Sequence, residues 1–286
     1  MKKLCLFFIV LLVVLSGCAP KADCHIAATT LPVYDFTTML CDGTPVTVTR
    51  LITEDVSCLH DYSVQVSQMQ KIESAQAVVL SGGGLETFLD GVLTSEQTVI
   101  DASAGITLNC NHDEHEDGHA HENDPHIWLS PVNAKKMCEN IAVQLSALYP
   151  AHQDKFSENL NNLLSKLDAL QQYGNATLQD LSCRELITFH DGFSYFAEAF
   201  DLTILKAIEE ESGSEVSAKE LTELCALVEA HQIPAIFTET NGSTASATVL
   251  STEIGVKSYT LDMAMSGNNY FGAMYHNIDT IKEALG

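Results

Sequence analysis

The stretch from Asn111 to Pro131, NHDEHEDGHAHENDPHIWLSP, gathers His112, His115, His119, His121 and His126, a large share of the chain's 11 histidines. Imidazoles and carboxylates at this density are donors for divalent metal ions, and imidazole favours zinc among them. Two kinds of histidine stand here. His112, His115, His119 and His121 lie among Asp113, Glu114, Glu116, Asp117 and Gly118 without apolar periodicity. They read as a solvated loop, either a secondary, low-affinity metal site or a hydrophilic insertion that happens to contain histidine. His126 differs, because it follows Asp124 and Pro125 and precedes Ile127 and Trp128, the only tryptophan. Proline fixes its backbone, and a large ring is at hand to pack against it.

Ligands of open α/β sheets gather at the carboxyl ends of strands. His60 comes after the strand that starts at Val46, His190 ends the run ITFH, and Asp262 ends YTLD. With His126 they make three imidazoles and one carboxylate, a tetrahedral donor set for zinc at about 2.0 to 2.2 Å. Each has a plainer reading: His60 as a surface-loop residue, His190 as a satisfied core side chain, Asp262 as a turn cap bonding its own backbone. Cys58 could add a thiolate beside His60, although neighbouring side chains of an extended segment point to opposite sides. Water or a loop carboxylate could replace Asp262. A shell closed by four protein donors leaves no position for a reacting water, so the expectation is capture of an ion and no enzyme activity. A zinc-dependent surface hydrolase would need a base beside an open site; Glu239 in FTET is the best carboxylate offered, and no HExxH accompanies it. An adhesin using zinc only to hold its fold is a further alternative, and its metal-free chain would be unfolded.

The elements that must position these residues alternate. Cys24 to Thr29 reads as a strand, Leu31 to Leu40 as a helix, Val46 to Ile52 as a strand. Tyr62 to Ala75 reads as a helix with Val64, Met69 and Ile72 on one face, and Ala77 to Leu80 as a buried strand. Gly82, Gly83 and Gly84 then turn the chain before helical spacing resumes at Leu85, Phe88, Leu89 and Val92. That glycine turn lacks GxxxxGK[ST], so no phosphate site is read there. After the strand Val99 to Asp101 and the His-rich loop, Ser130 and Pro131 cap a helix lined by Met137, Ile141, Leu145 and Leu148. A second helix from Asp154 carries Phe156, Leu160, Leu163, Leu164, Leu167 and Leu170, with a possible continuation to Leu181. The second half repeats the alternation: strands Glu185 to Phe189, Leu202 to Ile208, Ala235 to Thr238 and Lys257 to Leu261; helices Phe193 to Phe200, Val216 to Ala230, Thr244 to Ile254 and Asn269 to Leu285. Such alternation predicts an α/β fold with largely parallel sheets.

Composition narrows the setting. Lys2 and Lys3, an apolar run from Leu4 to Leu15 and the sequence Leu15-Ser16-Gly17-Cys18 form an export leader over residues 1–17, too short in its apolar run for a spanning helix. Acidic residues number 38 against 14 basic, a formal net charge of −24, which repels nucleic acid and attracts cations. Once Cys5 leaves with the leader and Cys18 is set aside, Cys24, Cys41, Cys58, Cys110, Cys138, Cys183 and Cys225 remain, an odd set without CxxC spacing. Neither a disulfide framework nor a cysteine zinc ribbon is expected, although one bridge outside the membrane is left open.

The leader ending at Cys18, NDPHIWLSP behind the His-rich acidic loop, TFHDGFSYFAEAF, SAKEL followed by IPAIFTE, and YTLD followed by NNYFGAMYHNI come in order over nearly the whole mature chain. Together they resemble the metal-binding lipoproteins of bacterial ABC importers, the zinc-binding branch of the cluster A-I substrate-binding proteins. The resemblance implies two parallel-sheet lobes, 18–149 with the loop 111–125 and 182–286, joined by the linking helix 150–181. It implies a metal in the cleft between them, taken as Zn2+ and passed to an ABC permease and its ATPase. The implied chain is a monomer whose only membrane contact is a lipid on Cys18. His60, His126, His190 and Asp262 match the four ligand positions of that family. An imidazole at His190, where manganese binders often carry a carboxylate, favours zinc; a manganese-specific binder is the alternative. The chain departs from the family pattern before His60, where Cys58 and Leu59 stand in place of a frequent proline.

Overall fold

The computed structural model describes residues 25–56, 59, 62–109, 123–209, 217–242, 251–267 and 269–286. The leader, Cys18, Cys58, His60 and the loop histidines His112, His115, His119 and His121 lie outside these residues. Among the described residues no helix is long and apolar enough to cross a membrane.

Two four-stranded sheets carry the chain. The first holds β1 (His25–Ala28), β2 (Thr47–Arg50), β3 (Ala77–Leu80) and β4 (Thr98–Asp101) in the order β2-β1-β3-β4. The second holds β5 (Glu185–His190), β6 (Thr203–Glu209), β7 (Ala235–Glu239) and β8 (Lys257–Leu261) in the order β6-β5-β7-β8. Every strand pair is parallel. Central strands of such sheets are covered on both faces and need continuous apolar runs. Ile26, Ala27 and Ala28 of β1 and Ala77, Val78 and Val79 of β3 accordingly have no exposed surface. Both sheets start with a central strand, step to one edge, cross back and finish at the other edge, so the carboxyl ends of β1, β3, β5 and β7 are where side chains can converge.

The helices are α1 (Leu31–Cys41), α2 (Val66–Ser74), α3 (Pro131–Leu148), α4 (Gln153–Thr177), α5 (Ser194–Ala199), α6 (Ala218–His231) and α7 (Tyr270–Leu285). Ser130 Oγ accepts the Asn133 N–H, and Pro131 opens α3, as the sequence predicts. The 25 residues of α4 make a rod of about 38 Å at 1.5 Å per residue. Phe156, Leu163, Leu167 and Leu170 bury its inner face, and it packs on α1 and α3 of one lobe and α7 of the other. This is the long connecting helix between two α/β lobes.

Several boundaries differ from expectation. The helix α4 stops at Thr177, short of Leu181, because the Arg184 guanidinium takes the carbonyls of Leu178 (2.7 Å) and Gln179 (3.0 Å) and ends the winding. The helix α2 begins at Val66, not Tyr62, where Gln65 and Gln68 form a reciprocal cap. Its buried residues are Gln68 and Ile72; Met69 is exposed, because Gln68 reaches inward to the Leu51 carbonyl at 3.1 Å. Between Leu85 and Val92 only a 3-10 turn, Thr87–Leu89, forms. Glu86 is spent on the preceding turn, accepting the Ser81 and Gly82 N–H groups at 2.7 and 3.0 Å, and Gly91 at φ 80° diverts the chain before a second turn. Residues 251–254 are helical, and the earlier part of the helix expected from Thr244 lies outside the described residues. Among the described residues Cys41, Cys138, Cys183 and Cys225 form no disulfide.

Candidate metal centre

His126 opens the 3-10 turn Ile127–Leu129 and is buried. Pro125 and the packing of Trp128 explain part of its placement: the two rings lie 5.4 Å apart edge to face, and the Trp128 indole N–H donates to the Met263 carbonyl at 2.8 Å. Asp124 explains the rest. Its Oδ1 accepts both the His126 backbone N–H (2.9 Å) and the imidazole Nδ1–H (2.8 Å). Its Oδ2 accepts the Ser194 hydroxyl at 2.5 Å, and its carbonyl accepts the Tyr195 hydroxyl at 2.8 Å. Burial would raise the Asp124 carboxyl, but the hydrogen bonds and charge of His126 and the Ser194 hydroxyl hold it below its ordinary value. A carboxylate on Nδ1 puts the ring proton there and leaves the lone pair on Nε2.

His190 ends β5, where strand geometry delivers it to the carboxyl edge of the second sheet. It is 3% exposed, and neither ring nitrogen has a hydrogen-bond partner among the described residues. Its ring faces that of His126 with centroids 5.2 Å apart and planes at 88°. Gly192 makes this approach possible, since a Cβ there would lie 2.8 Å from His190 Cδ2, 3.1 Å from His126 Cε1 and 2.6 Å from Met263 Cε. Any larger residue would wedge the two imidazoles apart.

Asp262 follows β8 and is half-buried. Its Oδ1 accepts the Ala264 N–H at 2.7 Å, the turn-capping bond of its plainer reading, while Asn277 holds its backbone N–H and carbonyl at 2.7 Å each. Burial raises its carboxyl, with the Ala264 N–H and nearby His276 opposing. Asp262 and the buried Glu239 line one narrow crevice with Val56, Asn241, Met265 and Ser266. Among the described residues no three His, Cys, Asp or Glu side chains are grouped closely enough to hold a metal ion. The structure thus brings together His126 and His190, sets Asp262 beside Met263, which touches the same space, and leaves His60 outside the described residues.

Sequence reasoning noticed Asp124 only as a neighbour of His126, and missed Ser194, Tyr195 and Gly192. The available signal was local: an acid two residues before the histidine in NDPH, and a glycine two residues after the other histidine in HDGFSY.

Two parallel-sheet lobes spanned by a long helix, with buried imidazoles from both lobes packed edge to face, define a solute-binding protein of the metal-binding class. The chain belongs to the family of zinc-uptake complex component A, periplasmic, which it matches over residues 26–284. Among its relatives is the zinc-binding lipoprotein AdcA of Streptococcus pneumoniae, 32% identical over 278 residues, covering 91% of this chain and 55% of that protein. The chain therefore spans about half the length of the curated relatives it matches. The crystal structure of ZnuA superposes with a TM-score of 0.80 at 29% identity, covering 92% of this chain and 99% of that one. The metal-dependent lipoprotein YcdH of Bacillus subtilis gives 0.77 at 27% identity, covering 91% and 98%.

Proposed function

We propose that this chain captures Zn2+ on the outer face of a membrane and hands it to an ABC-type permease driven by an ATPase. His126 Nε2 and His190 are the donors from the two lobes, with His60 and Asp262 completing the shell. His112, His115, His119 and His121 form a weak gathering site beside it, and a lipid on Cys18 tethers a monomer. The observation that carries this reading is His190, an imidazole buried in the fold, with neither nitrogen partnered among the described residues and a second imidazole packed against it. A buried polar group without a partner costs about 1 to 3 kcal/mol, a cost that a bound ion offsets. Four protein donors close the shell, so no hydrolytic step is assigned. Two imidazoles in reach favour zinc over manganese, whose usual donors are oxygen.

The test is competition on the purified, metal-free chain. A folded apo protein that takes up one tight Zn2+ and keeps it against excess Mn2+ is the expected result. Preference for Mn2+, or an apo chain that is unfolded, overturns the proposal.

A further inference from the structure

We propose that Asp124 is a positioning residue that makes His126 an Nε2 donor, and that Ser194 and Tyr195 of the other lobe hold Asp124 to that task, so that closure of the lobes aims the ligand. The proposal rests on the reading of His126 as a zinc ligand and adds the part that sets its orientation.

Asp124 has no exposed surface, and its polar atoms are all in use. Its N–H donates to the Asn109 carbonyl at 2.8 Å. Its Oδ1 is filled by two donors of His126 from its own lobe, whereas its Oδ2 and its carbonyl are filled by Ser194 and Tyr195 from the other. The Tyr195 hydroxyl also accepts the Asn109 N–H at 2.8 Å, and the Asn109 amide reaches Glu198 Oε1 at 3.0 Å. One helix, α5, therefore grips the short segment around Asp124 from across the cleft. That helix begins just after His190, so the element that steadies one imidazole is rooted beside the other.

Free neutral imidazole prefers its proton on Nε2, the nitrogen His126 must offer to a metal. A carboxylate on Nδ1 reverses that preference and fixes the plane of the ring, and loss of such an outer partner commonly weakens a metal site about 10- to 100-fold. When the lobes part, Asp124 Oδ2 loses the Ser194 hydroxyl, its carbonyl loses the Tyr195 hydroxyl, and water reaches a carboxylate that was dry. The His126 ring then loses its fixed aim. Pulling α5 away from the first lobe would loosen the His126 side of the site through Asp124, in addition to drawing His190 away.

The experiment uses the whole chain with 15N-labelled histidine, without and with Zn2+. In wild-type apo protein the His126 ring should report a proton on Nδ1. Asp124→Leu should move the proton to Nε2 and weaken Zn2+ about 10- to 100-fold, while Asp124→Asn, which still accepts the Nδ1–H, should keep both near wild type. The Ser194→Ala, Tyr195→Phe double variant should retain all metal ligands yet release Zn2+ about tenfold faster, within the range for outer partners. An Asp124→Leu protein with an unchanged tautomer and affinity overturns the proposal. Should that variant fail to fold, an unchanged release rate in the double variant overturns it instead. The apo tautomer is read without zinc, so a wild-type chain that shows the Nδ1 proton but binds no Zn2+ sinks the zinc reading, whereas zinc binding without that proton sinks only this one.

Discussion

His126 and His190 approach the same space from opposite lobes and are held there by different means. His126 sits on an irregular segment and is fixed largely by hydrogen bonds, two of them to Asp124, which is in turn held by Ser194 and Tyr195, with the Trp128 ring packed against it. His190 ends a buried strand and, among the described residues, is held by packing, with neither ring nitrogen hydrogen-bonded. A strand end needs no side-chain bond to fix direction, because the ladder already does so; a loop segment does. The difference also divides the energy. The contacts of His126 stabilise the fold, whereas the buried nitrogens of His190, without a hydrogen-bond partner among the described residues, oppose it.

Replacing either imidazole should have the largest effect. We expect His126→Leu and His190→Leu each to weaken Zn2+ about a thousandfold, near 4 kcal/mol at about 1.4 kcal/mol per decade, measured by competition with a chelator. Unchanged affinity would remove the altered residue from the shell. The two variants should then separate in the absence of metal. His126→Leu leaves the Asp124 carboxylate buried without its Nδ1 partner, and urea unfolding should show a loss of about 2 to 3 kcal/mol. His190→Leu trades a dry, unbonded ring for an apolar side chain and should leave apo stability equal or up to about 1 kcal/mol higher. Equal losses in both would erase the contrast drawn here.

A second pair of buried groups extends the comparison to pH. Asp124 lies below its ordinary value because an imidazole donates to it. Glu86 also accepts several donors, from Thr29, Ser81 and Gly82, yet burial raises it from 4.5 to about 7, against those bonds and with Asp101 adding to the rise. Between those two values the folded state holds a proton that the unfolded chain has lost. The stability from this group is therefore complete below pH 4.5 and declines as pH rises through about 7. Glu86→Gln should flatten that part of the stability profile by about 1 to 3 kcal/mol, and an unaltered slope in thermal or urea unfolding would refute the assignment. The smallest effect is expected from deleting residues 112–121, which should lower the number of weakly held Zn2+ ions per chain and leave the tight site intact. Loss of tight binding on this deletion would make the loop part of the main site.

The architecture was legible wherever the governing interactions are local. Short β-branched runs between turn residues, the Ser130-Pro131 cap and the leucine stripe of α4 each depend on neighbours a few positions away, and those elements form as read. Misreadings came where a side chain was claimed by a distant partner: Gln68 turned inward to Leu51, Glu86 spent on the glycine turn, Arg184 ending α4. In these cases hydrogen-bond demand overrode apolar periodicity.

The sequence by itself determined the alternation of strand and helix, the acidic charge that attracts cations and the candidate donor side chains, because these follow from residue type and short spacing. Only the tertiary structure decided that the His126 and His190 rings meet edge to face beside Gly192, and that Asp124 is shared between His126 and a helix 70 positions further along. Such contacts join the two lobes, and their partners are too far apart along the chain for any local pattern to encode them.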